Sequence, residues 1–254
     1  LLHIDVQQNG GIQMSRLNEE WKVEKHGPLE MLGEGLHTVA GEIVMPLGHF
    51  PRRMTVLTLR GRRLAVWSAI ALSEPQMAQL EALGSVDFLI VPGASHRLDL
   101  KAWKRRYPTA KVVCPPGARE AVAEAAPVDA ITDVLDDPTV AFQTVPGVGD
   151  KEAALVIRRA DGTSLVVNDI IANVHHPDGL GAKVMARLMG FGVKEPQMPW
   201  VGEKMFVKDH AALAAALRAW AAEPALARIV VSHGDVITER PREVLEKIAA
   251  DIAQ

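Results

Sequence analysis

Leu83-Gly84-Ser85-Val86-Asp87-Phe88-Leu89-Ile90-Val91-Pro92 decides the fold. Gly84 stops the preceding helix, Val86 to Val91 is an apolar run of the length of a buried strand, and Pro92 closes it. His96-Arg97-Leu98-Asp99-Leu100-Lys101 follows, so an imidazole stands just past the end of that strand. Two other positions repeat the pattern. Asp169 follows the strand Ser164–Asn168, and His233 follows Ala227–Val231. Loops beyond strand ends are where α/β proteins build their sites, because a rigid sheet edge brings them together. Two imidazoles and a carboxylate suit Zn²⁺ with an open position, or a non-haem Fe(II). Spacing alone favours a plainer reading, in which three polar residues close ordinary loops.

Outward from this strand, the chain reads as strands, then strands and helices mixed, then strands again. Residues 14–33 are polar and irregular, an N-terminal arm with Trp21. Leu36–Met45, Met54–Leu59 and Leu64–Trp67 carry strand composition, the last two forming a hairpin or meander around Gly61. Ser73-Glu74-Pro75-Gln76 predicts a helix start with a capping box, and Met77, Leu80 and Leu83 share its apolar face. A helix over Leu98–Arg106, a strand at Lys111–Cys114 and a helix over Gly117–Ala126 follow. Val140–Val145, Ala153–Arg158 and Ser164–Asn168 read as strands, with Asp161-Gly162 as the tight turn. A helix near Ala182–Met189, one over Ala211–Ala222 capped by Asp209, and a last one from Pro241 to Ile252 complete the pattern. A strictly doubly wound sheet would alternate strand and helix; this order suits a layered α/β sandwich better.

The chain has 254 residues, 48% of them hydrophobic, with a formal net charge of −3 and a pI near 6.3. Neither nucleic acid nor an anionic membrane is expected as a partner on that charge. One cysteine, Cys114, excludes an intrachain disulfide and a cysteine-rich zinc module. No run reaches the roughly 18 apolar residues of a membrane span. Leu1–Gln13 lacks the apolar stretch of a signal peptide, so a cytoplasmic location is expected. Met14-Ser15-Arg16 reads as a natural start, with residues 1–13 an upstream or added segment.

The chain resembles the metallo-β-lactamase superfamily, in an uncharacterised branch with eroded metal motifs. Gly35-Leu36-His37-Thr38-Val39 is similar to the opening strand of that superfamily, and Met54 to Trp67 to its next paired strands. Leu83 to Pro92 resembles the strand that delivers the main metal motif. Ser164 to Asp169 resembles the strand ending in the metal-bridging aspartate, and Ser232-His233-Gly234-Asp235 the loop of the last histidine. The resemblance implies a four-layer αββα sandwich over residues 29–254, preceded by the arm 1–28.

The departures bear on function. Where the motif His-x-His-x-Asp-His is expected, only His96 is kept; Leu98, Leu100 and Lys101 stand at the other ligand positions. Asp99 lies one position off, and Val148 follows Pro146-Gly147 where a histidine is expected. His96, Asp169 and His233 survive. A two-metal cage with its bridging hydroxide is therefore not expected, and Lys101 is expected to bring positive charge to the vacated second position. The resemblance implies a degenerate member that binds one Zn or Fe ion, or none, or a small-molecule ligand in the old cleft. Two alternatives stand: a mononuclear metal-dependent hydrolase using His96, Asp169 and His233, and a non-enzymatic interaction protein. A homo-oligomer fits either.

His175 and His176 are candidate replacement ligands, against a plain solvated loop. His37 and His49 are expected at the surface. Met185, Met189, Met198, Trp200, Met205 and Phe206 read as core packing, or else as a groove. Arg97, Lys101, Lys104, Arg105 and Arg106 read as a solvated helix face, or else as a lure for anions. Gly179–Val184 and Gly147–Lys151 fall short of a dinucleotide fingerprint and a phosphate loop, and no serine-hydrolase elbow occurs.

Overall fold

A computed structural model describes residues 17–45, 48–175 and 190–253. The first sheet has the order β1 (Glu30–Gly33), β2 (Leu36–Met45), β3 (Gly48–Leu59), β4 (Arg63–Trp67), β5 (Ser85–Ile90), β6 (Lys111–Val113). Its first four strands are antiparallel, and β4, β5 and β6 are parallel. The second sheet runs β10 (Leu226–Val231), β9 (Gly162–Val167), β8 (Ala153–Arg159), β7 (Val140–Thr144), with β9 and β10 parallel.

Successive residues along β4, β5, β9 and β10 are buried in different layers, which explains their apolar runs. Trp67, Ile90, Val166 and Val230 pack between the sheets. Their chain neighbours Val66, Leu89, Leu165 and Ile229 face outward under helices. Helices α1 (Glu74–Leu83) and α2 (Leu100–Arg106) cover the first sheet through Met77, Leu80 and Trp103. Helices α5 (His210–Ala221) and α6 (Pro241–Ile252) cover the second through Leu213, Leu217, Leu245 and Ile248. Each such side chain contributes about 1.5–3 kcal/mol by leaving water. The result is the αββα sandwich. The short α3 (Arg119–Ala123) and α4 (Trp200–Phe206) complete the described helices, none of them long and apolar enough to cross a membrane.

Several local expectations need correction. Residues 30–33 are not irregular: they pair with β2. The Ser73 side chain does not cap α1; its backbone carbonyl accepts from Gln76 and Met77, and Gln76 instead reaches the Gly27 carbonyl. Residues 116–118 form a tight helical turn before α3, so that helix is shorter than its pattern. Asp209 caps α5 as expected, accepting from the Ala212 N–H at 2.9 Å. The expected helix near Ala182–Met189 lies outside the described residues.

Asp137 clamps the loop before β7. It accepts from the Arg60 N–H (2.7 Å), the Thr139 N–H (3.0 Å) and the Thr139 hydroxyl (2.6 Å). Burial pushes its carboxyl up, but these hydrogen bonds and the Arg159 guanidinium win and lower it. A carboxylate depressed in the folded state adds stability above its unfolded pKa and loses it as pH falls through the folded one. Asp137→Asn should therefore cost about 1–3 kcal/mol at pH 7. The gap to the parent should close as urea titrations are taken below about pH 4; a gap independent of pH would contradict this account.

Candidate metal centre

His96, Asp169 and His233 are brought together, each offering a ligand atom within 4.8 Å of the others. Three loops do this: the turn after β5, the residue after Asn168 at the end of β9, and the residue after Ser232 at the end of β10. His96 Nε2 lies 3.3 Å from Asp169 Oδ1, and His233 Nε2 lies 3.1 Å from the same oxygen. All three side chains are almost wholly buried.

The far nitrogen of each imidazole is tied back. His233 Nδ1 donates to the Pro51 carbonyl on β3 at 2.7 Å. A carbonyl only accepts, so Nδ1 carries a proton, and in neutral His233 the lone pair sits on Nε2 and faces Asp169. The 3.1 Å contact is not aligned as a hydrogen bond, which leaves Nε2 a buried nitrogen without a hydrogen-bond partner. His96 Nδ1 meets the Ser68 hydroxyl at 2.7 Å. Ser68 follows β4, is buried, and holds φ at +52°, an uncommon conformation for serine. Burial pushes the His96 imidazole down to about 4, against the upward pull of Asp169, so this ring is neutral at pH 7. Burial acts to raise Asp169, and the hydrogen bond from His96 Nε2 acts to lower it.

Behind Asp169 lies a second carboxyl. Glu152 is buried and accepts from Asn168 Nδ2 at 2.8 Å and from the Asp169 N–H at 3.3 Å. Burial, then the charge of Asp169, pushes Glu152 well above the carboxylate range. Gly93 makes room for it: a Cβ there would stand 2.5 Å from Glu152 Oε1. The wall on the other side is apolar. Phe50 packs on the His233 ring at 5.0 Å and on Phe191 at 4.8 Å.

Several solved structures share this architecture. DIM-1 metallo-β-lactamase exposed to ceftazidime matches with a TM-score of 0.60 at 9% identity, over 91% of this chain and 99% of its own. FIM-1 metallo-β-lactamase from Pseudomonas aeruginosa, in its mono-zinc form, matches with a TM-score of 0.55 at 14% identity, over 91% and 98%. A metallo-β-lactamase from Hirschia baltica matches with a TM-score of 0.55 at 13% identity, over 88% and 98%. This chain has the metallo-β-lactamase fold. No family model matches its sequence, and no curated protein matches it. At these identities the likeness carries architecture, and the metallo-β-lactamase fold by itself does not specify a reaction.

On this metallo-β-lactamase fold, the residues at the expected ligand positions serve other ends. Leu100 (2% exposed) and Val148 (0%) are core side chains. Asp99 is no substitute ligand: Oδ1 accepts from Asn18 at 2.7 Å and Oδ2 from Arg52 at 2.5 Å. Lys101 does not bring its charge to a vacated metal position; it pairs with Glu19 of the N-terminal arm at 2.6 Å. The rest of the basic run is likewise engaged. Arg97 pairs with Glu124, Arg105 with Glu19 and Glu20, Arg106 with Glu74 and Glu81, and Lys104 donates to the Ala110 carbonyl.

His175 is not in the ligand group. It lines a neighbouring cleft of about 740 Å³ with Asn173, Asp235 and Arg240; His176 lies outside the described residues. His49 is at the surface beside Glu42, whereas His37 is half-buried with an unpartnered Nδ1, and burial lowers its pKa. Met198 and Phe206 join the core, while Trp200 is 46% exposed. Ser68, Pro51, Glu152 and Arg52 were not legible as site residues. For Ser68 a signal existed, since it stands past the end of a strand just as His96 does.

Proposed function

We propose that this chain binds one divalent metal ion, of the zinc class, through His96, Asp169 and His233, and acts as a mononuclear metal-dependent hydrolase. The carrying observation is the convergence of two imidazole Nε2 atoms on one carboxylate oxygen, with His233 Nε2 left buried without a hydrogen-bond partner. His96 Nε2 donates to that oxygen at 3.3 Å, a proton that a cation can replace, and imidazoles tied at the far nitrogen are common among metal ligands. The donor set of two imidazoles and a carboxylate is that of open hydrolytic sites. The mono-zinc form of FIM-1 metallo-β-lactamase supports a one-ion state on this fold.

When bound, such an ion supplies Lewis acidity toward a carbonyl or phosphoryl oxygen and activates water. The protein's part is to fix direction and dryness. Ser68 and the Pro51 carbonyl aim the rings, Glu152 accepts from the backbone of Asp169, and Phe50 with Phe191 walls off His233. Leu100 and Val148 in the core, and Lys101 on Glu19, supply no second cage. A two-ion mechanism is therefore set aside.

Protein purified without chelator or nickel should carry about one equivalent of metal by mass spectrometry. It should also turn over a generic ester or phosphoester, and lose that turnover in His233→Ala. Folded protein that is metal-free and takes up no added Zn²⁺ would overturn the reading.

A further inference from the structure

We infer that the buried ion pair of Arg52 and Asp99 is a strut that sets how the two histidine-bearing loops face each other, which makes both of them positioning residues of the candidate metal centre. Arg52 is 6% exposed and Asp99 1%. Arg52 Nη1 donates to Asp99 Oδ2 at 2.5 Å, and Asn18 Nδ2 of the N-terminal arm donates to Asp99 Oδ1 at 2.7 Å. The Asn18 N–H also donates to the Leu98 carbonyl at 2.9 Å. Asp99 closes the turn that carries His96 and immediately precedes α2. The arm and β3 therefore grip one carboxylate from two sides, close to His96 in the chain. Arg52 has no alternative to this contact, because its Nε and Nη2 atoms are buried without a hydrogen-bond partner. Separating a buried cation from its carboxylate leaves both charges uncompensated, so the contact is hard to break.

The neighbours of Arg52 on β3 hold the other loop. The Pro51 carbonyl accepts from His233 Nδ1 at 2.7 Å. The Arg53 N–H donates to the Ser232 carbonyl at 2.8 Å, and Arg53 Nε and Nη2 donate to the Gly234 carbonyl at 3.1 and 2.9 Å. Successive residues of one strand thus fasten the His233 ring, the residue before it and the residue after it, and Arg52 between them fastens the His96 turn. A paired strand transmits displacement with little give, so movement of Arg52 relative to Asp99 is carried to the His233 ring. What the strut sets is the approach of the two imidazoles, whose ring centroids stand 5.1 Å apart with an interplanar angle of 55°. A ligand group must be held within about 0.5 Å of its working position to serve a metal. Only that consequence rests on the proposed metal site; the strut itself does not.

The test is the proton–nitrogen NMR spectrum of the imidazoles in the full chain after chelator treatment, with the two signals assigned by His96→Ala and His233→Ala. Arg52→Met removes the charge of the strut and keeps much of its bulk. It should shift both ring signals and speed exchange of the His233 Nδ1 proton with water by about tenfold or more. Arg52 engages Asp99 through one nitrogen, which an ammonium can replace, so Arg52→Lys should stay closer to the wild type. Asp137→Asn lowers stability from the far end of β3, through the Arg60 N–H, and should move neither signal. If Arg52→Met does not fold, Asn18→Ala is read instead; it releases one oxygen of Asp99 and should shift both signals by a smaller amount. Zn²⁺ affinity, read by competition with a coloured chelator, should fall about tenfold in the same variant. No Zn²⁺ uptake by the wild type would overturn the metal reading alone, because the ring signals need no ion. An unchanged His233 signal and exchange rate would overturn the strut, as would an equal change in Asp137→Asn or an Arg52→Lys as disturbed as Arg52→Met. Shifted rings with unchanged Zn²⁺ affinity would overturn its role at the metal centre.

Discussion

Asp169→Asn should keep its fold and lose its metal. Asp169 Oδ1 is the atom on which His96 Nε2 and His233 Nε2 converge, at 3.3 and 3.1 Å. Asparagine keeps the shape but removes the one negative charge among the three donors, and a neutral amide is a poor ligand for a zinc-class ion. Affinity should fall by about 100-fold or more, equivalent to about 2.8 kcal/mol. Metal content should drop from about one equivalent to background, with hydrolysis falling alongside. The metal-free form should stay folded with some loss of stability, since the carboxylate that accepts from His96 Nε2 becomes a neutral amide. Mass spectrometry and a thermal melt on the same sample read both effects. An Asp169→Asn protein that still holds a full equivalent would exclude this carboxylate as a ligand.

Gly234→Ala should be severely destabilising. Gly234 holds φ at +103°, and a Cβ there would stand 1.9 Å from the Asn173 carbonyl oxygen, a backbone atom that cannot swing aside. The same loop is tied on every side. Asn173 donates its N–H to the His233 carbonyl at 3.1 Å, Asp235 donates to the Asn173 carbonyl at 2.8 Å, and Arg53 donates twice to the Gly234 carbonyl. Relief of the clash must move the backbone that carries His233. The expected cost exceeds about 3 kcal/mol, or roughly a 10 °C fall in Tm for a chain of this size. Gly61→Ala is the control. Gly61 also has positive φ, +76°, but open space around its Cβ position, so only the conformational penalty of about 1–2 kcal/mol applies. Similar losses at the two positions would show that backbone conformation, not the clash, dominates at Gly234.

The fold was legible because its signals are local and repeated. Val86–Val91, Ser164–Asn168 and Ala227–Val231 announced strands by their apolar composition, and all three lie where the pattern put them. The convergence of His96, Asp169 and His233 was legible only as three loops past strand ends; that they meet depends on sheet registers no local pattern encodes. Lys101 was misjudged, and the structural role of Asp99 missed, for one reason. Their partners, Glu19 and the pair Asn18 and Arg52, lie far away in sequence, and an ion pair between distant segments leaves no periodicity. Pro51 was invisible because it acts through its backbone carbonyl, which every residue has. Glu152 carries no pattern that marks it, and only the fold buries it.

The three candidate ligands do not come from one sheet. His96, with its partner Ser68, belongs to the strands of the first sheet, and Asp169 and His233 to those of the second. On the proposed reading, an ion bound there is a cross-link between the two halves of the sandwich, and the sheets cannot part without giving it up. Stability should then follow free metal as a linked equilibrium, rising about 1.4 kcal/mol for each tenfold excess over the dissociation constant. Metal supply would set not only how fast the protein works but how much folded protein there is.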